Sequence, residues 1–149
     1  MTERDVWYFA YGSNLNMSQM MTRVGEWKTS AKATLKGYRL LFNVESQRWG
    51  GMAANLRKTT NPQDIIYGAI YLISNSKLCV LTDYEHVEPQ SVMVESEGKQ
   101  VSANIYIFST NRTPAKPPPA YLNTLLDGLR QHGYGEDVIE EVKRISEQV

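Results

Sequence analysis

The stretch Val6-Trp7-Tyr8-Phe9-Ala10-Tyr11-Gly12-Ser13-Asn14-Leu15 decides how the rest of the chain is read. The aromatic and apolar run from Val6 to Tyr11 predicts a buried strand. It ends abruptly in small polar residues. Beyond them Asn14 or Asn16 can cap a short helix whose Met17, Met20, Met21 and Val24 fall at i, i+3, i+4 and i+7, a spacing that predicts a core-facing stripe. Gly25 can end that helix. A strand that turns through Gly-Ser-Asn into a helix start exposes backbone N–H groups, and such groups bind carboxylates and phosphates. Gly12 permits close backbone approach, while Ser13 and Asn14 add side-chain donors. The same residue types also build ordinary turns, and the spaced glycines of a phosphate-binding fingerprint are missing. The residues alone therefore leave a plain turn and an anion cradle both open.

Working outward, Ala33–Glu45 and Ile65–Ile73 read as strands, each with a glycine before or amid aromatic residues, as in the bends of a small closed barrel. Arg48-Trp49-Gly50-Gly51-Met52 between them reads as a loop. Asn75 can cap a helix over about Ser76–Tyr84. Ser91–Glu95 and Gln100–Thr110 read as strands joined by a Glu97-Gly98-Lys99 turn. Thr113–Pro119 is a stiff proline-rich connector, and helices over Ala120–His132 and about Glu136–Gln148 flank Gly133-Tyr134-Gly135. The pattern is α+β, a β-rich body with helices grouped around it, in a single domain spanning residues 1–149.

Composition disfavours several function classes. Sixteen Lys+Arg balance sixteen Asp+Glu, so the chain lacks the basic footprint of a nucleic-acid or anionic-membrane binder. No apolar stretch is long enough to span a bilayer, and the polar N-terminus carries no signal-type run. The single cysteine, Cys79, forbids an internal disulfide, and His86 and His132 stand at no familiar zinc spacing from it. The expectation is a cytoplasmic protein, monomer or homodimer, with no metal and no cofactor. Cys79, between Leu78 and Val80, reads as a buried inert thiol.

Glu85 is the oddly placed ionisable residue. It follows Leu78 by seven residues and Leu81 by four, which puts it on their apolar stripe. It also falls at a helix C-terminus, where the partial negative charge disfavours a carboxylate. Burial and dipole would both raise its pKa, marking a candidate general acid/base. A helix ending one residue earlier would instead let Glu85 swing into water or pair with a Lys or Arg, and periodicity alone leaves that open.

Tyr8-Phe9-Ala10-Tyr11-Gly12-Ser13-Asn14-Leu15 resembles the N-terminal signature of the γ-glutamylcyclotransferase family. Gly50-Gly51-Met52-Ala53, Ile66-Tyr67-Gly68-Ala69-Ile70-Tyr71, Leu81-Thr82-Asp83-Tyr84-Glu85, and the proline run with Tyr121 are similar to later family segments, in order. The resemblance implies a small mixed β-barrel with flanking helices. It implies an enzyme that cyclises a γ-glutamyl amine or γ-glutamyl amino acid to 5-oxoproline, with a small-molecule γ-glutamyl substrate as its partner. By position, Glu85 becomes the catalytic acid/base, and Tyr11, Gly12, Ser13, Asn14, Leu15 and Tyr121 become substrate-binding residues. The chain departs from the family pattern at Thr82 and His86, where Asp and Gly are usual, and lacks the Gly-x-Tyr that commonly follows the glutamate. Those departures define the alternative, a non-catalytic ligand-binding or regulatory protein of the same fold.

Overall fold

The computed structural model describes residues 3–148. Five strands form a closed barrel in the order β1 (Asp5–Ala10), β5 (Ile65–Ser74), β2 (Thr29–Lys36), β6 (Gln90–Ser96) and β7 (Lys99–Ile105). All pairings are antiparallel except the closing one, where β1 meets β7 in parallel at Tyr8 and Asn104. Strands β3 (Tyr38–Ser46) and β4 (Gly51–Lys58) form a separate two-stranded arm. Around the barrel lie α1 (Met17–Val24), α2 (Asn75–Glu85), α3 (Pro119–Gln131) and α4 (Glu136–Ser146).

The aromatic run does become a buried strand. Tyr8, Phe9 and Ala10 pair with Tyr71, Ile70 and Ala69 of β5, and all six side chains are in the core. Closure depends on Gly68, where an added Cβ would stand 2.4 Å from the Ala10 carbonyl oxygen and 2.6 Å from the Phe9 ring. The strand glycine thus marks a close approach of two strands at the barrel wall.

Several boundaries differ from the sequence reading, each for a visible reason. The strand expected over Ala33–Glu45 is two, because Gly37 at φ +83° turns the chain out of the barrel and into the arm. The loop expected through Met52 ends at Gly51, where β4 begins by pairing with Ser46. Strand β4 was hidden because its residues, Gly-Met-Ala-Ala-Asn-Leu-Arg-Lys, carry few β-branched or aromatic side chains and no clean alternation. Strand β7 stops at Ile105 rather than Thr110. Beyond it the side chain of buried Asn55 takes over the ladder's role, accepting the Phe108 N–H and donating to the Phe108 carbonyl, both at 2.9 Å.

Helix ends also shift. Asn16, not Asn14, caps α1 by accepting the N–H groups of Ser18 and Gln19. Only Met20 of the methionine stripe is fully buried, and Met21 is largely exposed. Helix α2 starts one residue early, with Ser74 at its cap and the Glu3 carboxylate accepting the Ser76 N–H at 2.7 Å. Helix α3 starts at Pro119 and α4 stops at Ser146. Cys79 is exposed, not buried, because it lies on the solvent side of α2, opposite Leu78 and Leu81.

Candidate active site

Strand β1 delivers the chain into a 3₁₀ turn, Ser13–Leu15, and the backbone there is held from behind. The Tyr71 hydroxyl lies 3.0 Å from the Asn14 carbonyl oxygen and 3.1 Å from that of Leu15, and the His132 Nε2 is 3.0 Å from the latter. Helix α3 presses close, since a Cβ at Gly128 would stand 2.5 Å from the Leu15 carbonyl carbon. Carbonyls drawn backward leave the opposite edge of the turn to N–H groups. Leu15 and Asn16 N–H groups close the turn on Gly12 and Ser13. Among the described residues, the N–H groups of Gly12, Ser13 and Asn14 enter no such backbone bond, and that of Ser13 faces the Tyr121 phenol oxygen. This arrangement puts backbone N–H donors along the concave edge of the turn, a geometry suited to an anion.

The turn forms the floor of a cavity of about 590 Å³, lined by residues of β1, α1, the β3–β4 arm, the end of α2 and α3. Tyr121 reaches it from α3: its oxygen accepts the Ala54 N–H at 2.9 Å and would lie 2.9 Å from a Cβ at Gly12. Only glycine therefore allows the phenol against the turn. Tyr11 donates to the Tyr106 carbonyl at 2.5 Å. Asn14 donates to the Tyr8 hydroxyl at 3.0 Å, and its oxygen accepts from Arg23 at 3.0 Å and Gln19 at 3.2 Å.

Glu85 closes the opposite wall. The apolar stripe forms as the spacing required, with Leu78 and Leu81 buried and Glu85 at the last turn of α2. Its side chain is 22% exposed, and Oε1 lies 3.7 Å from Arg23 Nη1. Burial raises its pKa above the ordinary 4.5, against the opposing pull of Arg23, Arg48 and His86. Burial first, and the Glu85 charge after it, push the phenols of Tyr8, Tyr11 and Tyr121 well up, and Tyr106 to about 12. All four are therefore neutral hydrogen-bonding groups at neutral pH. The residue after Glu85, His86, has φ +62°, a backbone conformation that glycine adopts without strain. His86 keeps this turn despite its side chain.

The cavity brings Glu85, Tyr11, Gly12, Ser13, Asn14 and Tyr121 together. Leu15 is not among its lining residues; its fully buried side chain packs in the core beneath. Arg23, Arg48, Trp49, Tyr84, Tyr8 and Tyr106 were not foreseen as lining residues. Arg23 had a faint signal, a charge three residues after Met20 on the half-buried side of α1. Tyr8 and Tyr84 stand beside the turn and Glu85 in sequence, whereas Arg48, Trp49 and Tyr106 arrive through contacts distant in sequence.

The family model described as "Gamma-glutamyl cyclotransferase, AIG2-like" matches residues 8–123, from the first aromatic strand into α3. The chain belongs to this family. A γ-glutamylcyclotransferase of Homo sapiens is 29% identical over 153 residues, covering 96% of this chain and 80% of the human protein. That of Mus musculus is 28% identical over 148 residues, covering 93% of this chain and 77% of its own. A solved structure titled γ-glutamyl cyclotransferase superposes with a TM-score of 0.85 at 26% identity, covering 97% of this chain and 90% of that one. The barrel with flanking helices is the family fold, and the curated relatives are enzymes of the cyclotransferase type.

Proposed function

We propose that the protein cyclises a γ-glutamyl amine or γ-glutamyl amino acid to 5-oxoproline, with Glu85 moving the protons. The observation that supports this reading is a half-buried carboxylate of raised pKa sharing one cavity with the Gly12 and Asn14 backbone N–H groups, which enter no backbone hydrogen bond among the described residues. The substrate's own α-amine attacks its γ-carbonyl, a new C–N bond forms, and the original γ-amide C–N bond breaks. Both reacting groups lie in one molecule, so folding the substrate supplies an effective molarity on the order of 10⁵–10⁸ M. What remains is proton transfer. Ionised Glu85 takes a proton from the α-ammonium group and returns one to the departing amine. An ordinary Glu is a weak base for an ammonium group with a pKa of about 8, and a raised pKa narrows that gap. The N–H groups of Gly12 and Asn14 bind the α-carboxylate or the developing oxyanion.

One feature favours the rival reading of a ligand-binding protein. Only four residues, His86 to Pro89, separate α2 from β6, so this wall of the cavity is short. The two are separated by incubating a panel of γ-glutamyl compounds with wild type and Glu85→Gln and assaying 5-oxoproline. The variant should lose about 10²–10⁴-fold in rate, the range of a general acid/base. Equal rates would remove Glu85 from the chemistry. Binding without any product from wild type would establish the rival.

A further inference from the structure

Two guanidinium groups stand beside Glu85, and they are not equivalent. Arg23 is committed inside the cavity, 9% exposed, between Asn14 and Glu85. Arg48 is exposed on the turn joining β3 to β4, its guanidinium carbon 4.8 Å from the centre of the Tyr84 ring. That ring belongs to the residue immediately before Glu85, and Arg23 lies over it too, at 4.7 Å. Among the described residues, no carboxylate is within ion-pair distance of Arg48. The other acid on this rim, Glu45, is already paired with Arg112.

The turn that carries Arg48 is fixed on both sides. The Ser46 hydroxyl accepts the Trp49 N–H at 3.2 Å, and the Ser46 carbonyl accepts the Gly50 N–H at 2.9 Å. The Trp49 indole meets the Tyr121 ring edge-on at 5.3 Å. A planar guanidinium stacked on a ring is pre-oriented, with its fork of N–H donors still available to an anion.

Burial sets the direction of the substrate. Ser13 and Asn14 are buried, Glu85 is partly exposed, and Arg48 is exposed. A glutamyl group seated on the floor, with its γ-carbonyl beside Glu85, sends the leaving amine outward to Arg48. We propose that Arg48 selects the leaving group, favouring γ-glutamyl compounds whose departing amine carries a carboxylate over those whose departing amine is uncharged or cationic. This rests on the reading of Glu85 and the 12–14 turn as a cyclotransferase site. A carboxylate gains paired charge-assisted hydrogen bonds from Arg48, whereas an ammonium group in the same place meets two positive charges. The leaving-group carboxylate does not change during cyclisation, so the preference falls mainly on KM rather than kcat.

The test uses three substrates of one skeleton: γ-glutamyl-alanine, γ-glutamyl-ethylamide, which lacks only the carboxylate, and γ-glutamyl-(2-aminoethyl)amide, which carries an ammonium group. Wild type should prefer the alanine compound over the ethylamide by about ten-fold or more in kcat/KM, as expected for a hydrogen bond between charged groups. Arg48→Gln should bring that ratio close to one through KM, and Arg48→Glu should move the preference toward the ammonium compound. The ratio is taken within each protein, so a change in folded fraction cancels. A ratio unchanged in Arg48→Gln, or a wild-type preference for the ammonium compound, overturns the proposal. Calorimetric Kd values for the alanine compound and the ethylamide, measured in Glu85→Gln with and without Arg48→Gln, separate it from the reading beneath it. Arg48-dependent binding preference without wild-type turnover sinks the cyclotransferase reading and upholds the selection. Turnover with an Arg48-independent ratio does the reverse.

Discussion

At Glu85 two effects oppose each other, burial raising its pKa and neighbouring cations lowering it, and burial wins. A base must be ionised to accept a proton, so activity should fall as the pH drops through the Glu85 pKa. That limb of the pH–rate profile should lie above 4.5, the ordinary carboxylate value. Arg23→Met removes the nearest opposing charge, 3.7 Å away, and should move the limb to still higher pH. A limb that stays in place in Arg23→Met would show that another group limits the rate. The same sign governs stability: a carboxyl group easier to protonate when folded contributes stability below pH 4.5, which is lost as the pH rises through the folded value.

The element that shapes the site from behind is α3. Gly128 sits where α3 crosses the 3₁₀ turn, and an added Cβ would meet the Asn16 nitrogen and the Leu15 carbonyl carbon, each at 2.5 Å. Both are backbone atoms, so no side-chain rotation relieves the clash. Alanine is the better helix former by about 1 kcal/mol, but overpacking of about 1–3 kcal/mol opposes it. Gly128→Ala should therefore lower Tm, by roughly 2–4 °C for each net kcal/mol. On the proposed function it should also depress activity more than the lost folded fraction explains, because the displaced backbone belongs to the turn proposed to hold the substrate. An unchanged Tm in a thermal melt would mean that α3 and the turn are less rigidly packed than their separation implies.

For the whole molecule, pH dependence combines groups on different elements. His132, at the end of α3, is half-buried between Tyr71 and the Leu15 carbonyl, and burial lowers its pKa from the ordinary 6.5. The unfolded chain then takes up a proton first as the pH falls. Stability present above pH 6.5 is lost as the pH drops through the folded His132 value. Denaturant titrations from pH 7.5 downward should show this loss, and His132→Gln should flatten it. A slope unaltered in the variant would assign the loss to other groups.

The sequence by itself determined the aromatic strand, the polar turn after it, the helix that carries Glu85 on an apolar stripe, and the α+β class. Each is a local pattern, with side-chain periodicity and turn chemistry contained within about ten residues. The order of the motifs then linked the turn to Glu85 across some seventy residues. Periodicity could not decide whether Glu85 faced water or a wall, because that depends on what α2 packs against. Nor could it find β4, whose pairing comes from the neighbouring strand rather than from its own small residues. Arg23 and Arg48 reach one tyrosine ring from α1 and the β3–β4 turn, 25 positions apart. Such convergence is a property of barrel closure and helix docking. Charge and burial act through distance in space, and only the tertiary structure sets those distances.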